Sequence, residues 1–362
     1  MRQPKAWETL GKIAPVLTFL LALHASFPSQ AAVHSKPPVC IDNPPYDTTP
    51  FKAEKFVTVA PGIKLEVLDW GGSGETMVLL TGLGDNAHVY DHFAFQFTQF
   101  FHVVGITRRG WLPSSQPLPS SPLRTGYDVE TRAADDIKVL DALGIKRAVF
   151  VGHSIAGSEL SEIAIKYGSY VDKLVYLDAS DLSERNTFPD IPSPFSAQTD
   201  ADARSLFAFQ AWQARVMATR EPIPATCLEM AFNEHGMVTD TSTPGSIPEA
   251  ILAGVHAPAE PPTDWADIKA PRLGIFAPPT LESKLSFYPY LSPADQAACD
   301  QRFPRLVQWF SDVISKFAEE HPGSPKPKVY LLPGAPHYVF INNEAEVVRE
   351  MRSFLGIPLA GS

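Results

Sequence analysis

The chain has 362 residues, 44% of them hydrophobic, enough to bury a full globular core in one large domain or two. Only 19% of residues are charged and the formal net charge is -10, with no basic run to neutralise phosphates, which excludes a nucleic-acid partner. Proline numbers 35, well above its usual share of about 5%, and it concentrates between residues 182 and 304, where stiff, irregular connections are expected.

Residues 1–31 read as a targeting segment. Arg2, Lys5 and Lys12 form a basic start and Ile13 to Phe27 a short apolar run; Ser29 and Ala31 then supply the small residues of a cleavage site. A membrane span needs about 20 apolar residues, and this run is shorter and broken by Pro15 and His24. The expectation is export, secreted or periplasmic, with no stable membrane anchor. Cleavage would leave the mature chain more acidic still. Cys40, Cys227 and Cys299 remain and lack metal-ligand spacing; in an oxidising compartment a bridge from Cys227 to Cys299, with Cys40 free, is expected.

Residues 32–50 are proline-rich and aperiodic, an extended lead-in to one domain over 51–362. From Phe51 the texture changes. "KFVTVA" and "IKLEVLDW" alternate like a hairpin about Pro61-Gly62. "TMVLLT" (76–81), "FHVVGIT" (101–107), "RAVFVG" (147–152) and "KLVYLD" (173–178) are short apolar runs of the kind found in strands covered on both faces, as are the later "PRLGIFA" (271–277) and "PKVYLLPG" (327–334). Helix-like stretches separate them, notably 127–144, with Ala133, Ile137 and Leu140 on one face and Gly144 at its end, and 156–168. "NAHVYDHFAFQF" (86–97) and the stretch from Glu344 also read as helical. Buried strands alternating with helices imply a mostly parallel α/β sheet. About residues 181–270 the rhythm breaks into aromatic and proline-rich helical pieces, read as an inserted, mainly helical cap.

The run into "VFVGHSIAG" carries the chemistry. A sharp strand-to-helix turn lifts its central serine above the sheet edge, and the residues two before and two after must be small or strand and helix collide. Gly152 and Ala156 meet that demand around Ser154. The helix that follows turns free backbone N–H groups toward developing negative charge.

Together with "LLTGLGDNAHVYDHFA" (79–94), "TRRGW" (107–111), "LVYLDAS" (174–180) and "GAPHYVF" (334–340), this motif resembles the α/β-hydrolase superfamily over about residues 54–357. It is similar to secreted bacterial members with a serine nucleophile. The resemblance implies the α/β-hydrolase fold, a mostly parallel sheet flanked by helices with an inserted cap, and a catalytic triad. His337 stands where the pattern puts its base, behind nucleophile and acid in chain order. Many members carry the acid after the strand that follows the cap, where "GIFAPPTLESK" offers only Glu282. Some haloalkane dehalogenases place a carboxylate one strand earlier, at the position of Asp178. Asp178 is favoured, since a strand end is held more rigidly than a loop, with Glu282 the alternative. Backbone N–H groups of Leu83 and Ile155 would form the oxyanion hole, with Thr81 in place of the usual histidine.

His153 reads as structural, because adjacent side chains on such a turn diverge. His88 and His92, spaced i,i+4, lack a third ligand, so no metal is expected, and no cofactor. Phe207, Phe209, Trp212, Phe232 and Trp265 are candidates to line a pocket in the cap. A serine nucleophile argues against epoxide hydrolase or haloalkane dehalogenase chemistry, which in this superfamily uses an aspartate there. The reading is a serine hydrolase acting on a small-molecule substrate, a carboxylic ester first. Amide or peptide cleavage, carbon–carbon bond hydrolysis and a non-catalytic ligand-binding protein on the same fold stay open. Oligomeric state is not legible.

Overall fold

Residues 76–80 and 148–153 are apolar without alternation, and both form strands that are buried along their whole length, as strands covered on both faces must be. The computed structural model describes residues 53–119, 126–179, 229–232, 238–242, 248–256, 263–285 and 288–358. In chain order the strands are β1 Ala53–Ala60, β2 Ile63–Gly71, β3 Thr76–Leu80, β4 His102–Ile106, β5 Ala148–His153, β6 Val171–Leu177, β7 Glu229–Phe232, β8 Val238–Ser242, β9 Arg272–Phe276 and β10 Lys328–Leu331. The helices are α1 Val129–Leu143, α2 Ala156–Lys166, α3 Glu249–His256, α4 Leu281–Lys284, α5 Pro293–Ala318, α6 Val339–Asn342 and α7 Glu344–Leu355.

Eight strands form one sheet in the order β1-β2-β4-β3-β5-β6-β9-β10. β2 is antiparallel to both its neighbours, and from β4 onward every pairing is parallel. This is the α/β-hydrolase fold with its mostly parallel sheet. The expected hairpin of β1 and β2 and each of the later buried strands are present. α1 shows how closely local sequence sets local structure. Asp128 accepts the N–H of Thr131 at 2.8 Å, a cap that contributes about 1 kcal/mol over alanine. The helix then buries Ala133, Ile137 and Leu140 in the core with Val78, Val104 and Phe150, and ends at Gly144 in the left-handed conformation with φ 73°. Because the parallel strands run the same way, their C-terminal ends share one edge of the sheet. The loops that follow β3, β5, β6, β9 and β10 therefore gather there.

The chain divides into two compact units. One comprises Tyr46–Glu184, Ser246–Pro278 and Ser311–Ser362 and holds the eight-stranded sheet. The other comprises Met1–Pro45, Arg185–Gly245 and Pro279–Phe310; its described residues include the antiparallel pair of β7 and β8. The targeting segment, the lead-in and most of the expected cap lie outside the described residues. Among the described residues no helix is long and apolar enough to cross a membrane.

Two local expectations are corrected. Residues 86–97 form two separate 3-10 turns, Ala87–Tyr90 and Phe93–Gln96, in place of one helix. Side chains pin the first turn to the sheet: Tyr90 donates to Leu80 O at 2.8 Å and Trp70 Nε1 donates to Asp91 at 3.0 Å. Cys299 is a buried free thiol, so the bridge from Cys227 is not formed; burial pushes that thiol up to about 11. Cys40 and Cys227 themselves lie outside the described residues.

Candidate active site

Ser154 follows β5 directly and has φ 56°, in the left-handed region that few side chains other than glycine adopt. Such strain persists only where the surroundings impose it, and here the next residues enter α2 at once: Gly157 N–H donates to Ser154 O at 3.0 Å and Ser158 N–H to Ile155 O at 3.3 Å. The demand for small neighbours is visible in the packing. A Cβ on Gly152 would stand 2.9 Å from Leu160 Cδ1 and 3.0 Å from the Cβ of Ala156. Ala156 fits as it stands, fully buried against the core.

Asp178 directly follows β6, the neighbour of β5 in the sheet. It is the other described non-glycine residue with positive φ, at 42°. Ser154 N–H donates to Leu177 O at 3.3 Å, so Ser154 and Asp178 leave the sheet side by side. The carboxylate of Asp178 is buried, and among the described residues Ala277 N–H donates to Oδ1 at 2.8 Å and His337 Nδ1 lies 2.7 Å from Oδ2. His337 sits in the loop after β10, its side chain 30% exposed. With Nδ1–H given to Asp178, Nε2 is the nitrogen left to accept a proton. Glu282 is exposed in the first turn of α4 and belongs to the other unit; the carboxylate on His337 is that of Asp178.

The loop after β3 carries Leu83 and is held from beneath by a buried arginine. Arg108 donates to Thr81 O and to Gly82 O, each at 2.6 Å, and forms a pair with Glu159 at 3.0 Å. Glu159 also meets Arg132 at 2.7 Å. Thr81, standing where a histidine is usual, uses its hydroxyl inward on Asp85 O at 3.2 Å. Among the described residues neither Leu83 N–H nor Ile155 N–H is given to a backbone carbonyl outside helices and strands.

His153 is fully buried and lies with its ring 4.4 Å from that of His337. Its Nε2 is 3.1 Å from His337 O; a carbonyl can only accept, so that nitrogen carries the proton. His88 is held between Asp91, 2.9 Å from Nδ1, and Glu66, 3.5 Å from Nε2. His92 pairs instead with Glu344 at 2.7 Å, so the two histidines serve different partners. Trp265 packs on Tyr176 and Phe317 and under the guanidinium of Arg272. Phe207, Phe209 and Trp212 lie outside the described residues.

Four contributors escape a reading by residue type alone: the Ala277 N–H, Arg108, Asp85 and Tyr338. Arg108, Asp85 and Tyr338 lie in the stretches "TRRGW", "LLTGLGDNAHVYDHFA" and "GAPHYVF" that carry the resemblance, but nothing in those stretches says what each one touches.

The model of the alpha/beta hydrolase family matches residues 77–350. RutD of Caulobacter segnis is 35% identical over 118 residues, 32% of this chain and 43% of that protein. Epoxide hydrolase 3 of Mus musculus is 29% identical over 153 residues, 41% of this chain and 40% of that enzyme. The chain thus spans about two fifths of the length of these curated relatives. A probable hydrolytic enzyme of Pseudomonas aeruginosa PAO1 has a solved structure similar to this one with a TM-score of 0.54, at 16% identity, covering 85% of this chain and 95% of that one. At that identity the likeness concerns the fold alone.

Proposed function

Because the chain belongs to the alpha/beta hydrolase family, we propose that it is a serine hydrolase in which Ser154, His337 and Asp178 act as nucleophile, base and acid, most readily on a carboxylic ester. The observation that carries this reading is the 2.7 Å contact of Asp178 with His337 Nδ1, made next to a serine raised on a strained turn. In the first step Ser154 Oγ attacks the acyl carbon while its proton passes to His337 Nε2. Asp178 holds the imidazole in the productive tautomer and stabilises the imidazolium. The N–H groups of Leu83 and Ile155 receive the oxyanion. Collapse breaks the bond to the leaving group, which takes the proton from His337. Water, deprotonated by the same nitrogen, then attacks the acyl-enzyme and releases the acid and free Ser154.

Esters come first among acyl substrates because an alkoxide asks least of a single imidazolium. The curated relative named as an epoxide hydrolase does not change this, since its activity belongs to a protein that matches over a part of its length. The amino-terminal pattern supports a further proposal, that the enzyme works outside the cytoplasm. A panel of acyl esters of graded chain length tests the reading: turnover is expected for at least one member and is expected to vanish in Ser154→Ala. Hydrolysis that survives in Ser154→Ala would remove the serine from the mechanism.

A further inference from the structure

Asp85 is the third residue of the 3-residue span Leu83–Asp85 that follows Gly82, and its carboxyl group is buried between two loops of the candidate site. Tyr338 O–H donates to both carboxylate oxygens, at 3.1 Å and 3.3 Å, and the backbone of Asp85 is tied into its loop by its N–H to Gly82 O at 3.5 Å and by the Thr81 hydroxyl on its carbonyl at 3.2 Å. Gly82 is the residue before Leu83, whose N–H would meet the oxyanion. Tyr338 is the residue after His337. One residue therefore bonds the neighbour of the oxyanion donor through its backbone and the neighbour of the base through its carboxylate. His153 stands beside it, Nδ1 3.9 Å from Oδ2, and its other nitrogen bonds His337 O.

We propose that Asp85 is a positioning residue, a clasp that holds the oxyanion loop and the His337 loop in register, and that it works in its ionised form. This rests on the serine-hydrolase reading above. Ionised, the carboxylate offers only acceptors, which suits the Tyr338 O–H that bridges its two oxygens; protonated, it becomes a donor at one oxygen and loses part of that grip. The close fit leaves little room for an alternative arrangement, since a Cβ on Gly82 would lie 2.7 Å from both Asp85 Oδ2 and His153 Nδ1. The charged and titratable groups facing Asp85 are Tyr338, Arg108, His153 and Tyr90. Burial pushes the carboxyl up to about 7 against the bond from Tyr338 and the charge of Arg108, so the clasp would open and close within the physiological range.

The test is the second-order rate of labelling by a fluorophosphonate probe, measured from pH 5 to 9 on the wild type, Asp85→Asn and Tyr338→Phe, with thermal melting as the check on folding. As the pH falls, the wild-type rate is expected to drop more steeply than by loss of the base alone, protonation of the clasp adding a further roughly ten- to hundredfold loss. Asp85→Asn, fixed in the neutral form, is expected to follow loss of the base alone, and to label roughly ten- to a hundredfold more slowly at pH 8, the scale of a misplaced reacting group. Tyr338→Phe, which keeps the carboxyl group and removes its main donor, is expected to be slow as well and carries the test if Asp85→Asn does not fold. Wild-type rates and an unchanged slope in both variants would overturn the clasp. Failure of the wild type to label at all would instead overturn the serine-hydrolase reading. Infrared difference spectra then decide the clasp without activity: a carboxylate band at pH 8 that is absent in Asp85→Asn and moved in Tyr338→Phe supports it, and a band that Tyr338→Phe leaves unmoved, or a carboxyl group still protonated at pH 8, overturns it.

Discussion

Asp178 and His337 stand 159 residues apart in the chain and meet at 2.7 Å. Neither end of that contact is left to chance. Asp178 is fixed by a strained backbone, by its own N–H to Ile275 O at 2.7 Å and by Ala277 N–H on its second oxygen. His337 is backed by the ring of His153 and by the bond from His153 Nε2 to its carbonyl. An acid held this firmly can orient an imidazole; one in an exposed short helix, as Glu282 is, pays for its freedom in lost alignment.

Asp178→Asn is therefore expected to reduce ester turnover by several orders of magnitude, on the scale of about 10⁴ for the same exchange in serine proteases. Glu282→Gln is expected to cost about tenfold or less. Steady-state kinetics on both, at matched stability by thermal melting, make the comparison. A large loss in Glu282→Gln with Asp178→Asn near normal would move the acid to the loop after β9.

Gly82→Ala places a methyl group 2.7 Å from Asp85 Oδ2 and from His153 Nδ1. Relief requires the loop carrying Leu83 to shift, so turnover should fall roughly ten- to a hundredfold while stability falls by about 1–3 kcal/mol. Kinetics paired with urea denaturation separate the two effects. Unaltered turnover would mean that this loop does not supply an oxyanion donor.

Much of this arrangement is legible in the sequence. Gly152 and Ala156 around Ser154 and the buried runs that form β3, β5, β6 and β9 follow from local residue type, and the histidine behind β10 follows from the resemblance to the superfamily. What was missed depends on partners distant in sequence. No pattern in "GIFAPP" announces that the Ala277 N–H points at Asp178, and Asp85 gains its meaning only from Tyr338, 253 residues on. α5 was missed for another reason. Pro304 within the helix and the general excess of proline in this stretch mask a start signal that is in fact present: Ser292 before Pro293, with Ser292 Oγ accepting the N–H of Asp295 at 3.2 Å. The turns at 86–97 read as a helix because their apolar spacing suits one, while Tyr90 and Trp70 impose another shape through bonds across the fold.

Arg108→Ala would leave Glu159 without one of the arginines it meets, Thr81 O without the guanidinium, and Gly82 O with only the N–H of Asp85 at 3.5 Å. Removing one partner of a buried pair costs about 3–5 kcal/mol. Lysine cannot reproduce the fork that reaches both carbonyls and the carboxylate, so Arg108→Lys should also be destabilised. Equilibrium unfolding in urea measures both; a loss of less than about 1 kcal/mol in Arg108→Ala would contradict the bracing role, since this is the range of an exposed pair.

His88 links stability to pH. Burial alone would lower its pKa, but the carboxylates of Asp91 and Glu66 outweigh that and raise it to about 10. A raised folded value means that the stabilisation is complete below the unfolded value near 6.5 and is lost as pH rises through the folded one. The stability gap between wild type and His88→Gln should thus be widest at pH 6 and close toward pH 10 and above, read from urea midpoints at intervals of one pH unit. A gap that widens with rising pH would mean that His88 is neutral in the folded chain.

The central claim is that Ser154 is the activated nucleophile of a serine hydrolase, and covalent capture tests it most directly. After treatment with a fluorophosphonate at pH 8, intact-mass and peptide analysis of the wild type should show one phosphonyl adduct, on the peptide containing Ser154, and none in Ser154→Ala. An unlabelled wild type, or an adduct that persists unchanged in Ser154→Ala, would contradict it.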